Sequence, residues 1–244
     1  MTTGDTMISI DGLTKDFGPL RAVDNISFDV KKGEVLGFLG PNGAGKSTTM
    51  KMVTGYLLIT NGKASVCGFD VENHALEAKT KIGYLPEGAP LYGDMTTISF
   101  LNFIAEIRRL SGDTKQKQVA YAIDKLQLQP VINQPIDTLS KGFKRRVGFA
   151  QAILHDPEVL ILDVPTDGLD PNQKHQVRQL ISEMAVDKAI IISTHILEEV
   201  EAVCTRAVII AEGKIVFDDT PAKLKEQSST GNLDDVFRRL TLVN

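Results

Sequence analysis

The stretch Glu34-Val-Leu-Gly-Phe-Leu-Gly-Pro-Asn-Gly-Ala-Gly-Lys-Ser-Thr48 decides the fold. Residues 34–39 form a short, mostly apolar run, which reads as a buried strand. The run leads into Gly40-Pro-Asn-Gly-Ala-Gly-Lys-Ser47, a glycine, four residues, then glycine, lysine and serine. Backbone N–H groups of such a loop turn inward on a phosphate chain, and glycine permits the dihedrals and the close approach this needs. Residues 47–57 read as a helix that ends near Gly55, and its start adds the positive end of a dipole. Lys46 supplies a point charge for the β- and γ-phosphates, and the Ser47 hydroxyl supplies a ligand for Mg²⁺. Strand, loop and helix in this order predict a nucleotide-binding α/β fold.

The same alternation extends along the chain. Residues 81–85, 159–162, 189–193, 207–210 and 214–219 read as strands. Residues 173–186 and 221–227 read as helices, the second with Pro221 near its first turn. Alternating strands and helices imply a mostly parallel sheet with helices on its faces. Between about 95 and 155 the period changes. Ile98, Leu101, Phe103, Ile104, Ile107 and Leu110 recur at helical spacing, as do Val119, Ala122, Ile123 and Leu126, which suggests an inserted helical subdomain. The expected division is a discontinuous core at 1–90 and 157–227, a helical subdomain at 91–156, and a linker with a helical tail at 228–244. Within the last part, 228–232 reads as linker and 233–240 as amphipathic helix. Val159-Leu-Ile-Leu-Asp163 is an apolar strand that ends in a carboxylate. Beside a phosphate-binding loop, such an aspartate holds Mg²⁺ or its water shell.

Composition sets the outer limits. The chain has 244 residues, 42% hydrophobic and 24% charged, which excludes disordered, collagen-like and disulfide-scaffold classes. With 27 Lys and Arg against 31 Asp and Glu, the net charge of −4 gives no support for nonspecific nucleic-acid binding, and no nucleic-acid partner is expected. No apolar run nears the roughly 20 residues a membrane span needs, and residues 1–10 lack a secretory pattern. Cys67 and Cys204 read as buried small apolar residues of a reducing, cytoplasmic compartment.

Five further motifs stand in a telling order. Phe17 comes first, then Glu87 in Gly83-Tyr-Leu-Pro-Glu-Gly88, then Leu139-Ser-Lys-Gly-Phe143, Asp167-Gly-Leu-Asp170, and His195 after Ser193-Thr194. With the phosphate loop and Asp163, they make the chain resemble the ATP-binding subunit of ABC transporters over nearly its whole length. The resemblance implies a P-loop NTPase core with a mostly parallel sheet, an antiparallel N-terminal β region and an inserted α-helical subdomain. It implies ATP and Mg²⁺ as cofactors. Phe17 would stack on adenine. Gly40, Pro41, Asn42, Gly43, Ala44, Gly45, Lys46, Ser47 and Thr48 would hold the phosphates. Ser47, Asp163 and Glu87 would serve the metal, and Glu87 and His195 the attacking water and γ-phosphate. Ser140 and Gly142 would complete the site of a second ATP-binding subunit, identical or different, bound head to tail. Residues 88–111 would touch a separate integral membrane subunit, with an extracytoplasmic accessory protein as a further candidate partner. The implied location is peripheral, on the cytoplasmic face of the membrane.

The chain also departs from the family pattern. Lys141 and Phe143 replace the common Gly and Gln. Lys144-Arg-Arg146 reads either as help with phosphate across the dimer or as a solvated helix start with a packing role. The largest departure is Val164, where the family carries the glutamate that orients and polarises the attacking water. Loss of a positioned general base typically costs about 10²–10⁴ in rate. Slow hydrolysis with intact Mg-ATP binding is therefore expected. Of two origins, an engineered trap and a natural degenerate site, the otherwise intact motif set favours the first. The alternative class is a soluble ABC ATPase of iron–sulfur assembly or translation. A DNA-repair ATPase would need a long coiled coil, for which 51–158 is too short.

Overall fold

The run at 35–39 becomes an inner strand of a six-stranded sheet in the computed structural model, which describes residues 5–88, 90–228 and 233–242. In chain order the elements begin β1 (Thr6–Phe17), β2 (Leu20–Lys31), β3 (Val35–Leu39), α1 (Lys46–Val53), β4 (Asn61–Val66), β5 (Phe69–Asp70), α2 (Ala75–Lys81) and β6 (Ile82–Leu85). Helices α3 (Thr97–Ile107), α4 (Gly112–Lys125) and α5 (Lys141–Ile153) follow, with short 3₁₀ turns between the last two. The chain continues with β7 (Val159–Asp163), α6 (Pro171–Met184), β8 (Ala189–Thr194) and α7 (Leu197–Val203). It closes with β9 (Arg206–Ala211), β10 (Lys214–Asp219), α8 (Pro221–Glu226) and α9 (Leu233–Thr241).

The large sheet has the order β10-β9-β3-β8-β7-β6. Strand β3 runs parallel to β8 and β9, and β7 runs parallel to β6 and β8, while β10 is antiparallel to β9. Because the parallel strands share a direction, their carboxyl ends share one edge. Leu39 pairs with Thr194, Asp163 with Ser193, and Leu85 with Leu162. The segments that follow these residues must therefore meet at that edge, where ligands bind in open α/β sheets.

Strands β3, β7 and β8 are buried along their whole lengths, so both sheet faces need cover. Alternation sorts their side chains. Leu160, Leu162, Ile190 and Ile192 pack with Phe100 of α3, Ile123 of α4, Phe149 of α5 and Leu180 of α6. Ile161, Ile191 and Phe38 pack on the other face with Met50 of α1 and with Ile8 and Val30 of a second sheet. That second sheet is antiparallel, in the order β2-β1-β4-β5. Helices α7, α8 and α9 close a third apolar cluster around Leu39 and Ile209.

Several local expectations change. Helix α2 and helix α7 carried no readable period, being seven residues each. Phe103 and Ile107 are exposed although they share the helical spacing of α3. Cys67 and Cys204 are free thiols but only half-buried, because each lies at an element boundary rather than inside one. The amphipathic tail is helix α9, while residues 229–232 of the expected linker lie outside the described residues.

The ring of His155, just after α5, donates through Nε2 to Ile82 O at 3.1 Å, and its buried Nδ1 has no partner among the described residues. Burial, helped by the positive charge of Arg108, lowers its pKa to about 4. The unfolded imidazole titrates near 6.5, so between these values the unfolded chain binds a proton that the folded chain excludes. Stability should then fall as pH drops from about 6.5 towards 4, by up to roughly 3 kcal/mol from this group. Thermal melts at pH 7.5 and 5.0 should show a smaller pH loss for His155→Gln than for the unaltered chain. An equal loss would remove His155 from the account.

Candidate nucleotide-binding site

The loop after β3 is shaped by its glycines. Gly43 and Gly45 take φ of 81° and 107°, in the left-handed region that side chains rarely adopt. A Cβ on Gly45 would also lie 2.5 Å from Ala22 O, and one on Gly40 would lie 2.3 Å from Ile210 O. Gly45 is the N-cap of α1 and offers no side chain to cap it. The first N–H groups of α1 thus stay available to an anion.

Lys46 is buried, and its Nζ donates to Gly40 O at 2.7 Å and Pro41 O at 2.9 Å. Burial lowers its pKa, opposed by the negative charges of Asp163 and Glu87. Ser47 Oγ donates to Asp163 Oδ2 at 3.1 Å, although 116 residues separate them. A hydroxyl and one carboxylate fit a hard cation that keeps waters and shares phosphate oxygens. Among the described residues no three His, Cys, Asp or Glu side chains gather to hold an ion, so phosphate and water would supply its other ligands. The cradle and this donor set fit Mg²⁺ with a nucleotide phosphate.

The other expected residues surround this pair unevenly. Asn42 and Gly43 are exposed, Pro41, Ser47 and Thr48 are half-buried, and Ala44 is buried. Phe17 ends β1 as a strand residue paired with Leu20, not as a free loop residue. It is 46% exposed, with Lys15 Nζ 5.2 Å from its ring centroid. Glu87 lies exposed in the turn after β6. His195 is exposed just beyond β8. Ser140 caps α5 by accepting from Phe143 N at 3.3 Å, which leaves its hydroxyl hydrogen free to donate. Gly142 is buried against Gly168 O and Gln173. Asp170 has a structural duty, since its carboxylate and Gln173 form the capping box of α6. Lys141 reaches Asp167 at 2.9 Å across the surface.

For the arginines of the basic run 144–146 the packing role holds, but neither solvation nor a phosphate contact within this chain does. Arg145 and Arg146 are 8% and 6% exposed. Arg145 donates to Pro86 O at 2.7 Å, to Val164 O at 2.8 Å and to Asp163 O. It thereby ties the turn after β6 to the end of β7. Arg146 donates to Leu126 O at 3.3 Å and lies 4.1 Å from the Phe143 ring centroid. Their charges serve carbonyls inside the chain, which a pattern of consecutive basic residues could not reveal.

Val164 has φ of 47°. The left-handed region is most strained for a β-branched residue, and such outliers gather at functional sites. Its N–H donates to Ser193 O at 2.8 Å, and its carbonyl accepts from Asp167 N at 3.1 Å as well as from Arg145. The backbone at this position is held by three bonds whatever side chain it carries.

Comparison with known proteins agrees with this geometry. The profile of the family described as ABC transporter matches residues 23–167. The "Probable multidrug ABC transporter ATP-binding protein YbhF" of Escherichia coli strain K12 is 36% identical over 236 residues, which are 96% of this chain and 40% of that protein. The chain therefore spans well under half the length of that relative. The "Nod factor export ATP-binding protein I" of Burkholderia orbicola is 37% identical over 231 residues, 94% of this chain and 76% of that one. A solved "ATP binding subunit of ABC transporter" superposes with a TM-score of 0.88 at 27% identity, covering 96% of this chain and 99% of the other. With its phosphate loop and sheet order, the chain belongs to the ABC transporter family as one of its ATP-binding cassettes.

Proposed function

We propose that this chain is the ATP-binding motor of a transporter whose membrane part is a separate subunit. The observation that carries the reading is the meeting of Lys46, Ser47 and Asp163 at the carboxyl edge of the sheet, with Ser47 and Asp163 3.1 Å apart. In this reading the amides of 40–48 and Lys46 bind the ATP phosphates, Ser47 and Asp163 hold Mg²⁺, and Phe17 receives the adenine. Glu87 and His195 flank the γ-phosphate and its water. Mg²⁺ would draw charge from the phosphate oxygens. The discontinuous core 1–90 with 157–227, and the helical part 91–156, are the units that would move against each other.

Exposed Tyr92, Phe103 and Ile107 near the start of the helical part support a docking surface for the membrane subunit. No helix among the described residues is long and apolar enough to cross a membrane, which fits peripheral attachment to such a subunit. The names of the relatives, multidrug and Nod factor export, favour export. Purification of the tagged chain from detergent-solubilised membranes should retain an integral membrane protein. Retention of ribosomal or iron–sulfur assembly proteins in its place would favour a soluble ATPase.

Ser140 and Gly142 are read as completing the site of a partner cassette. Ser140 is exposed at the N-terminus of α5, with its hydroxyl hydrogen available. Mg-ATP should convert monomers to dimers in light scattering, and Ser140→Arg should abolish this through bulk and charge. A dimer that survives the substitution would exclude this geometry.

A further inference from the structure

Glu199 on α7 is 2% exposed, while its neighbour Glu198 lies at the surface paired with Arg178 at 3.0 Å. The two carboxylate oxygens of Glu199 accept from hydroxyls on two different segments. Thr166 Oγ1 donates to Oε1, and Thr194 Oγ1 donates to Oε2 at 2.7 Å. Both threonines are buried, at 1% and 0% exposure. Thr194 Oγ1 also accepts from Ile196 N at 3.0 Å, so its single proton is directed at Glu199. Thr166 lies two residues beyond Val164, in the loop that carries Asp167, and Thr194 directly precedes His195. A buried carboxylate is costly unless its lone pairs are met, and here each oxygen accepts a hydroxyl from a different segment. Burial pushes the Glu199 pKa up, opposed by Thr194 and by the charges of Arg178, Lys174 and His195.

We propose that Glu199 is a positioning residue, which clamps the 164–170 loop and the His195 turn into one fixed relation across the sheet edge. The proposal rests on the reading above, in which position 164 and His195 face the same phosphate. The clamp has a chemical logic. The two segments leave adjacent ends of β7 and β8, where the bond from Val164 N to Ser193 O joins their bases. One carboxylate bound at both oxygens ties them a second time, through side chains further along each segment, and a displacement of about 1 Å at reacting groups can cost about 10²-fold in rate. Glutamine at 199 keeps the volume but presents an amide donor to one of two hydroxyls that already need an acceptor.

The test uses the full chain and its four histidines, His74, His155, His175 and His195. In nitrogen-15 histidine spectra of the nucleotide-free protein, Glu199→Gln should shift the His195 ring signals and leave the other three in place. Thr194→Val should do the same. Calorimetry should find Mg-ATP affinity within about twofold of the parent, since Lys46, Ser47 and Asp163 are untouched. In a Val164→Glu host, phosphate release should fall about tenfold or more with Glu199→Gln. Thr166→Val should slow that host similarly, and Thr166→Ser, which restores the hydroxyl, should recover its rate. An unmoved His195 signal would overturn the clamp. So would shifts in all four histidines together with lost ATP affinity, which would mark Glu199 as a general packing residue. Failure of the parent chain to bind Mg-ATP would instead remove the reading of the site, and the histidine spectrum would still decide the clamp.

Discussion

Val164→Glu is expected to raise phosphate release at saturating Mg-ATP by about a hundredfold or more. Hydrolysis needs bound phosphate, a metal and an oriented water. In the reading proposed above, Lys46 with the loop amides serves the first, and Ser47 with Asp163, which touch at 3.1 Å, serves the second. For the third, the side chain that follows Asp163 is a valine with no acceptor. Its backbone is fixed by Ser193, Arg145 and Asp167, so a new side chain would leave from the same anchored point. A glutamate there would follow Asp163 directly at the end of β7. The substitution also replaces a β-branched residue at φ of 47° by an unbranched one, which that dihedral strains less. Folding should therefore survive. Faster hydrolysis should also shorten the lifetime of the Mg-ATP dimer. The measurement is phosphate release by both proteins, with the membrane partner present. Equal rates would move the base elsewhere, to Glu87 first, because its charge already acts on Lys46.

Lys46→Ala is expected to weaken Mg-ATP binding by about a hundredfold or more, reflecting loss of a charge-assisted phosphate contact in a partly desolvated loop. Lys46 is 9% exposed, so its ammonium has already left much of its water. Its two carbonyl partners, Gly40 O and Pro41 O, belong to the loop itself. Removing the side chain therefore unpins the loop as well as deleting the charge. Lys46→Arg should restore little, because a planar guanidinium cannot replace a compact ammonium among these carbonyls. Calorimetry with Mg-ATP reads the effect directly. Affinity unchanged in Lys46→Ala would exclude the role given to this lysine.

The central signals lie within single short stretches. An apolar run, a glycine spacing and a lysine–serine pair specify strand, loop and helix locally, because dihedral freedom and dipole direction are properties of consecutive residues. For the same reason the strands ending at Asp163 and before His195 were legible. That a valine without a carboxylate stands at 164 could be noticed in sequence, but not its left-handed backbone.

The rest depends on what the chain meets after it folds. The register of β1 against β2 includes several irregular steps, which alternation alone does not encode. A helical period does not say which apolar residues face the core, and Phe103 and Ile107 are exposed in spite of theirs. The run 144–146 looks like surface charge, yet Arg145 is drawn inside by carbonyls of residues 86, 163 and 164. Glu199 is one of three glutamates between 198 and 201, and nothing in that run marks it out. By itself, then, the sequence determined the glycine-rich loop after β3 and the parallel alternation, each set by neighbours along the chain, and it marked Ser47 and Asp163 as candidates without showing that they meet. Only the tertiary structure decided which charged side chains are buried and which loops they join, because a buried charge is stable only where distant partners satisfy it.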